Sequence, residues 1–151
     1  MLDLTPYQRP RKIQEALAKK RIAVVGMSNN PARASNSVSR YMLDIDEGYT
    51  LIPVNPRYPE IFGLPCFPDL LSAREAVGEI DTVNVFRESS AVPAIAAEAV
   101  AVGASVLWLQ LGVIHADGIR LAEQAGMNVV VDRCLKIEHG RFFGASHRSG
   151  R

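Results

Sequence analysis

Short apolar runs, each closing on a polar or glycine-bearing turn and followed by residues at helical spacing, recur along the chain. The runs are Ile22 to Val25, Tyr49 to Val54, Asp81 to Phe86, Ser105 to Leu111 and Asn128 to Val131. Runs of this length, rich in β-branched residues, read as strands buried on both faces. Between them the pattern turns helical. Tyr7 to Lys20 carries Ile13, Ala16, Leu17 and Ala18 among charges, as a short amphipathic helix does. Val38, Tyr41, Met42 and Ile45 predict a second helix, with Ser28, Asn29, Asn30, Ser35 and Asn36 as candidate caps and Gly48 as its stop. Asp69 to Gly78 predicts a brief helix. Ser89 or Ser90 is expected to cap another through Val102, ended by Gly103, and Asp117 to Ala125 a further one, stopped by Gly126. Arg133 to His139 begins a last short helix, and Gly144 to Arg151 reads as a loose tail. Pro53, near the end of the second strand, suggests an edge position or that pairing is ending there, and Gly63 to Pro68 reads as a very short edge strand among prolines.

Strands and helices alternating at this spacing predict an α/β fold: a doubly wound, mainly parallel five-stranded Rossmann-like sheet with helices on both faces. The expected division is an N-terminal helical extension over 1–20, the sheet domain over 21–140 and a C-terminal tail over 141–151.

Composition narrows the partners. The chain has 151 residues, 48% hydrophobic and 22% charged, which suits one domain with a substantial core. Seventeen basic residues against sixteen acidic ones leave a net charge of +1, too little to recruit nucleic acid or an anionic membrane. Any anion site must be local. No apolar run approaches the roughly 20 residues of a membrane span, and Met1 to Pro6 lacks a signal-peptide pattern, so a cytoplasmic location is expected. Cys66 and Cys134 read as free thiols. His115, His139 and His147 form no HxxxH or HExxH pattern, so no metal site is expected.

In a doubly wound sheet the ligand lies beyond the carboxyl ends of the strands, where strand order reverses. The first exit supplies only Gly26 of the dinucleotide fingerprint. Ser28 and Pro31 stand where its second and third glycines would, and the second strand ends in Asn55 rather than a carboxylate. NAD is therefore disfavoured, and no G-x-x-x-x-G-K-[ST] loop offers a nucleoside triphosphate site. What remains is a helix start for a phosphate, with Arg33 nearby, and Arg57 and Arg87 at the next two exits. A ligand with a diphosphate and a separate ribose phosphate would use such a set, and coenzyme A is such a ligand.

These exits also carry a family resemblance. Val24-Val25-Gly26-Met27-Ser28 with Pro31 and Arg33, Pro53-Val54-Asn55-Pro56, Val85-Phe86-Arg87, Val106 to Gly112 and Val131-Asp132-Arg133-Cys134 together resemble the stand-alone CoA-binding proteins. Those are similar to the Rossmann-like domain of the succinyl-CoA synthetase α subunit. The resemblance implies that Gly26, Ser28, Arg33, Ser35 and Asn36 surround the diphosphate, and that Asn55, Pro56 and Arg57 meet the adenosine and its ribose phosphate. It implies Phe86 and Arg87 as the opposite wall, with Trp108, Gln110 and Gly112 deeper, towards the pantetheine.

Each residue also has a plain structural reading. Ser35 and Asn36 suit helix caps, Gly26 a turn, Arg33 and Arg57 solvated charges, Arg87 with Glu88 a surface pair, and Trp108 the core. Asp132-Arg133-Cys134 sets an acid, a base and a thiol at one exit. A nucleophilic Cys134 would need a depressed pKa and a nearby base such as His139, so Asp132 or Arg133 is expected instead to hold neighbouring loops. The expected function is non-catalytic binding of coenzyme A or an acyl-CoA. In the synthetase a second domain supplies a histidine phosphorylated during turnover, and this chain ends before one begins. Two alternatives stay open: an acyl-CoA-presenting component of a multi-subunit synthetase, and an NAD(H)-binding redox sensor. A protein partner or homo-oligomer is left open.

Overall fold

The structure, a computed structural model, describes residues 2–149. A 3-10 turn, Thr5–Tyr7, leads into α1 (Pro10–Leu17), β1 (Arg21–Val25), α2 (Ala34–Asp44) and β2 (Thr50–Val54). A small hairpin of β3 (Glu60–Ile61) and β4 (Leu64–Pro65) precedes α3 (Leu70–Val77) and β5 (Thr82–Val85). The chain closes with α4 (Val92–Ala101), β6 (Val106–Leu109), α5 (Ala116–Gln124), β7 (Asn128–Val130) and α6 (Leu135–Ser149).

β1, β2, β5, β6 and β7 form one parallel sheet in the order β2-β1-β5-β6-β7. The doubly wound expectation holds, and β2 takes the edge, one of the two alternatives that Pro53 suggests. From β1 the chain steps outward to β2, then crosses back over β1 to β5. The strand order therefore reverses between β1 and β5, and a crevice opens at their carboxyl ends.

Side-chain alternation divides the core into two layers. Ala23, Val25, Val83, Val85, Leu107 and Leu109 face α3, α4 and α5, which contribute Leu70, Ala73, Ile95, Ala96, Ile119 and Ala122. Ile22, Val24, Val106, Trp108 and Val130 face α1, α2 and α6, meeting Ile13, Leu17, Val38, Met42 and Leu135. Residues 7–17 pack against this sheet. Tyr7 O accepts from Val131 N at 3.2 Å, Lys12 O accepts from Asn128 Nδ2 at 2.9 Å, and Ile13, Ala16 and Leu17 are buried.

Several boundaries differ from the sequence reading. α2 has Arg33 at its N-cap with no capping side chain, and it ends at Ile45 rather than Gly48. Asp46, at φ +54°, takes the left-handed position just beyond it. Ser89 does not cap α4. It lies in a 3-10 turn, its hydroxyl accepting from Ile114 N at 3.0 Å and donating to Gly112 O at 3.3 Å. The expected single edge strand is the β3–β4 hairpin, tied to β2 through a parallel bridge between Val54 and Phe67. The expected loose tail is helical to Ser149, while Gly150 and Arg151 lie outside the described residues. By contrast α3 begins and ends as its sequence indicates. The Asp69 carboxylate accepts from Ser72 N at 2.8 Å, which holds that carboxyl below its ordinary range, and Gly78 closes the helix.

Candidate functional site

The first exit is built around one close approach. Gly26 turns at φ +85°, and a Cβ placed on it would stand 2.6 Å from the carbonyl oxygen of Phe86 and 3.0 Å from Cδ of Arg87. Only hydrogen fits. Gly26 N donates to Val54 O and Phe86 N donates to Val25 O, each at 2.9 Å, so the exits of β2, β1 and β5 are stitched side by side.

After Gly26 the loop is held by its own side chains. Ser28 N donates to Ser35 Oγ at 2.9 Å, Asn30 N to Ser28 Oγ at 3.0 Å, and Asn36 Nδ2 to Ser28 O at 2.9 Å. Ser35 and Asn36 are thus internal braces rather than caps. Arg33 N turns to Asn30 O, and Asn36 N and Ser37 N both turn to Arg33 O. The N–H groups of Ala34 and Ser35 are left as the orphan donors of the first turn, at the positive end of the helix.

The second exit is fixed by Asn55, whose Nδ2 donates to Met27 O at 3.0 Å and whose Oδ1 accepts from Arg57 N at 2.9 Å. A carboxylate there would have one acceptor too many for this geometry, since the Met27 carbonyl needs a donor. Arg57 is exposed beyond it. At the third exit Arg87 forms a two-point pair with Glu88, Nε to Oε2 at 3.1 Å and Nη2 to Oε1 at 2.8 Å.

Gly26, Ser28, Arg33, Ser35, Asn55, Pro56, Arg57, Phe86 and Arg87 all line one cleft of about 760 Å³ on the α3–α4 side of the sheet. The remaining expected residues do not. Asn36 is buried at 4% exposure and lines a separate groove between α2, the hairpin and α6. Trp108 is fully buried, its indole N–H donating to Arg133 O at 2.9 Å. Alternation points it to the opposite face of the sheet from the cleft, and β6 is one strand further from the switch point. Gln110 is likewise buried, donating to Asn84 Oδ1 at 2.7 Å. Gly112 is exposed outside the cleft, its N–H taken by Asp132 Oδ1 at 2.7 Å.

The cleft also holds residues that were not expected at the site, chiefly Asp69, Glu88, Ile95 and Glu98. Asp69 arrives there because the Val54–Phe67 bridge carries the start of α3 to the β2 exit. The aspartate cap before α3 was the available signal. Glu98 Oε1 accepts from Leu70 N at 3.1 Å, which draws α4 to the same place.

The thiols stand apart from this chemistry. Cys134 is buried, and both ring nitrogens of His139 are engaged elsewhere, Nδ1 with the Tyr41 hydroxyl and Nε2 with Glu47, each at 2.9 Å. His139 is therefore no base for Cys134. It pins α6 to α2. Burial pushes the Cys66 thiol above its ordinary pKa. Asp132 does hold a neighbouring loop, its carboxylate accepting from Gly112 N, whereas the Arg133 side chain donates to the adjacent Asp132 O at 2.8 Å and its backbone carbonyl accepts from the Trp108 indole of β6. Among the described residues no cluster of His, Cys, Asp or Glu suits a metal, and no helix is long and apolar enough to cross a membrane.

Known proteins resemble this chain over most of its length. Residues 20–140 match the family described as the CoA binding domain. The uncharacterised protein YneT of Bacillus subtilis is 41% identical over 135 residues, covering 87% of this chain and 96% of YneT. A hypothetical protein of Pyrococcus horikoshii superposes with a TM-score of 0.86 at 32% identity, over 95% of this chain and 99% of that one. An ADP-forming acetate–CoA ligase of Archaeoglobus fulgidus is 24% identical over 124 residues, 76% of this chain but 17% of the ligase.

Proposed function

Because the chain belongs to the CoA-binding domain family, we propose that its cleft between the β1 and β5 exits binds coenzyme A or an acyl-CoA, as a binding protein without a catalytic residue of its own. The observation that carries the reading is the convergence of Arg33, Arg57 and Arg87 with the uncapped first turn of α2 in one cleft. Orphan N–H groups and guanidinium forks are the two kinds of donor that phosphates select.

In this reading Gly26, Ser28, Arg33 and Ser35, with the N–H groups of Ala34 and Ser35, surround the diphosphate. Pro56 and Arg57 meet the adenosine and its ribose phosphate, and Phe86 and Arg87 form the facing wall. Asn36 and Asn55 serve as braces that shape the two loops. Gly112 is the member of the deeper set with surface to offer a pantetheine arm, while Trp108 and Gln110 support the sheet behind it. Asn55 in place of a carboxylate at the β2 exit is what the reading expects of a ligand whose ribose carries a phosphate, since two negative groups would repel there.

Arg57→Ala is the test. Losing a charge-assisted hydrogen bond of roughly 1.5–3 kcal/mol corresponds to about a 10- to 100-fold weaker affinity for CoA. Dephospho-CoA, which lacks the ribose phosphate, should bind the variant as it binds the parent. Calorimetric titration of both ligands decides it, and an equal loss for the two would remove Arg57 from the ribose phosphate.

A further inference from the structure

The cleft carries carboxylates as well as guanidiniums, and they are not alike. The Asp69 carboxylate is committed to Ser72 N at 2.8 Å, and that of Glu98 to Leu70 N at 3.1 Å, so both belong to the start of α3. Glu88 instead turns to a cation of the cleft. Its two oxygens take Nε and Nη2 of Arg87 at 3.1 and 2.8 Å, the fork-to-fork geometry in which a guanidinium also holds a phosphate. Among the described residues Arg87 alone of the three cleft arginines is ion-paired.

Resting on the CoA reading, we propose that Glu88 is a built-in competitor for the ligand: its carboxylate occupies the guanidinium face of Arg87 that a ligand phosphate takes, and the two anions exchange there. The pair is suited to exchange. The side chains are 42% and 61% exposed, so solvent screens the bond and either partner can swing away at little cost. The stem of Arg87 runs over Gly26, its Cδ 3.0 Å from where a Cβ on that glycine would stand. Only the guanidinium end has to turn. The hydrogen bond between the two groups also lowers the Glu88 carboxyl and raises the Arg87 guanidinium from their ordinary values.

The experiment is calorimetric titration of the full chain with CoA, for the parent, Glu88→Gln, Arg87→Ala and the double variant, each first checked by thermal unfolding. Glu88→Gln is expected to tighten CoA binding about two- to fivefold, the scale of an exposed ion pair. In the Arg87→Ala background the same change is expected to give no gain. If Glu88→Gln binds CoA no more tightly than the parent, the competitor is overturned while the CoA reading stands. A gain that survives in the Arg87→Ala background overturns it too, because simple charge repulsion needs no Arg87. Failure of the parent to bind CoA overturns both.

Discussion

Replacing Gly26 with alanine is expected to destabilise the protein by about 2–5 kcal/mol and to abolish measurable CoA binding. Two costs add. A left-handed φ charges a residue with a Cβ roughly 1–2 kcal/mol, and overpacking against a fixed neighbour costs roughly 1–3 kcal/mol more. The neighbour here is the Phe86 carbonyl at 2.6 Å, a backbone atom just past β5 whose own N–H is held by Val25 O, so it cannot turn aside as a side chain would. Gly112 supplies the control, because it shares the left-handed φ, at +79°, yet a Cβ there meets nothing within 4 Å. Gly112→Ala should therefore show the first cost alone, about 1–2 kcal/mol. Urea unfolding of the two variants separates the terms. Equal losses would mean that the approach of the β1 and β5 exits is slack enough to absorb a methyl group.

The second large effect falls on Trp108, where fold and site were hardest to tell apart. Trp108→Ala is expected to cost roughly 3–5 kcal/mol, as large-to-small changes of buried aromatics do. Trp108→Phe keeps much of the ring volume but leaves the Arg133 carbonyl without its donor, for a loss of about 1–3 kcal/mol. Neither number depends on a ligand. CoA affinity of the phenylalanine variant should consequently stay within about twofold of the parent, since the indole faces the α1–α2–α6 layer. A variant that keeps its stability and loses CoA would return Trp108 to the ligand wall.

The difference between Gly26 and Trp108 shows what the sequence made legible. Alternating apolar runs and turns state the order of strands and helices, and Pro53, lacking an N–H, suits either a strand at the edge or the end of its pairing. Those signals are local, and they located the three exits that meet in the cleft. The direction of a side chain on a central strand is not local. Val106, Leu107, Trp108 and Leu109 are all apolar because both faces of β6 are covered, so no polar alternation marked which face Trp108 takes. Serines and asparagines were ambiguous for a related reason. Ser35, Asn36 and Ser89 have the chemistry of caps, but their hydroxyl and amide groups satisfy loops that packing brings near.

α6 was read short for a reason that lies in tertiary contacts. Gly140 and Gly144 each cost a helix about 1 kcal/mol relative to alanine, which argues for a tail. Packing outweighs them, with His139 fully buried between Tyr41 and Glu47 and with Phe142 and Phe143 against the core. Such a fit is visible only once α2 and α6 are side by side. Glu88 was legible as a partner for Arg87, but its place among three arginines and two committed carboxylates was not.

The central claim, that this cleft is a coenzyme A site, is tested most directly by titrating the purified, ligand-stripped protein with CoA, dephospho-CoA, NAD and NADH in a calorimeter. The expected result is saturable binding of CoA, weaker binding of dephospho-CoA, and no saturable heat with NAD or NADH. No heat with CoA, or a preference for NADH, would contradict it.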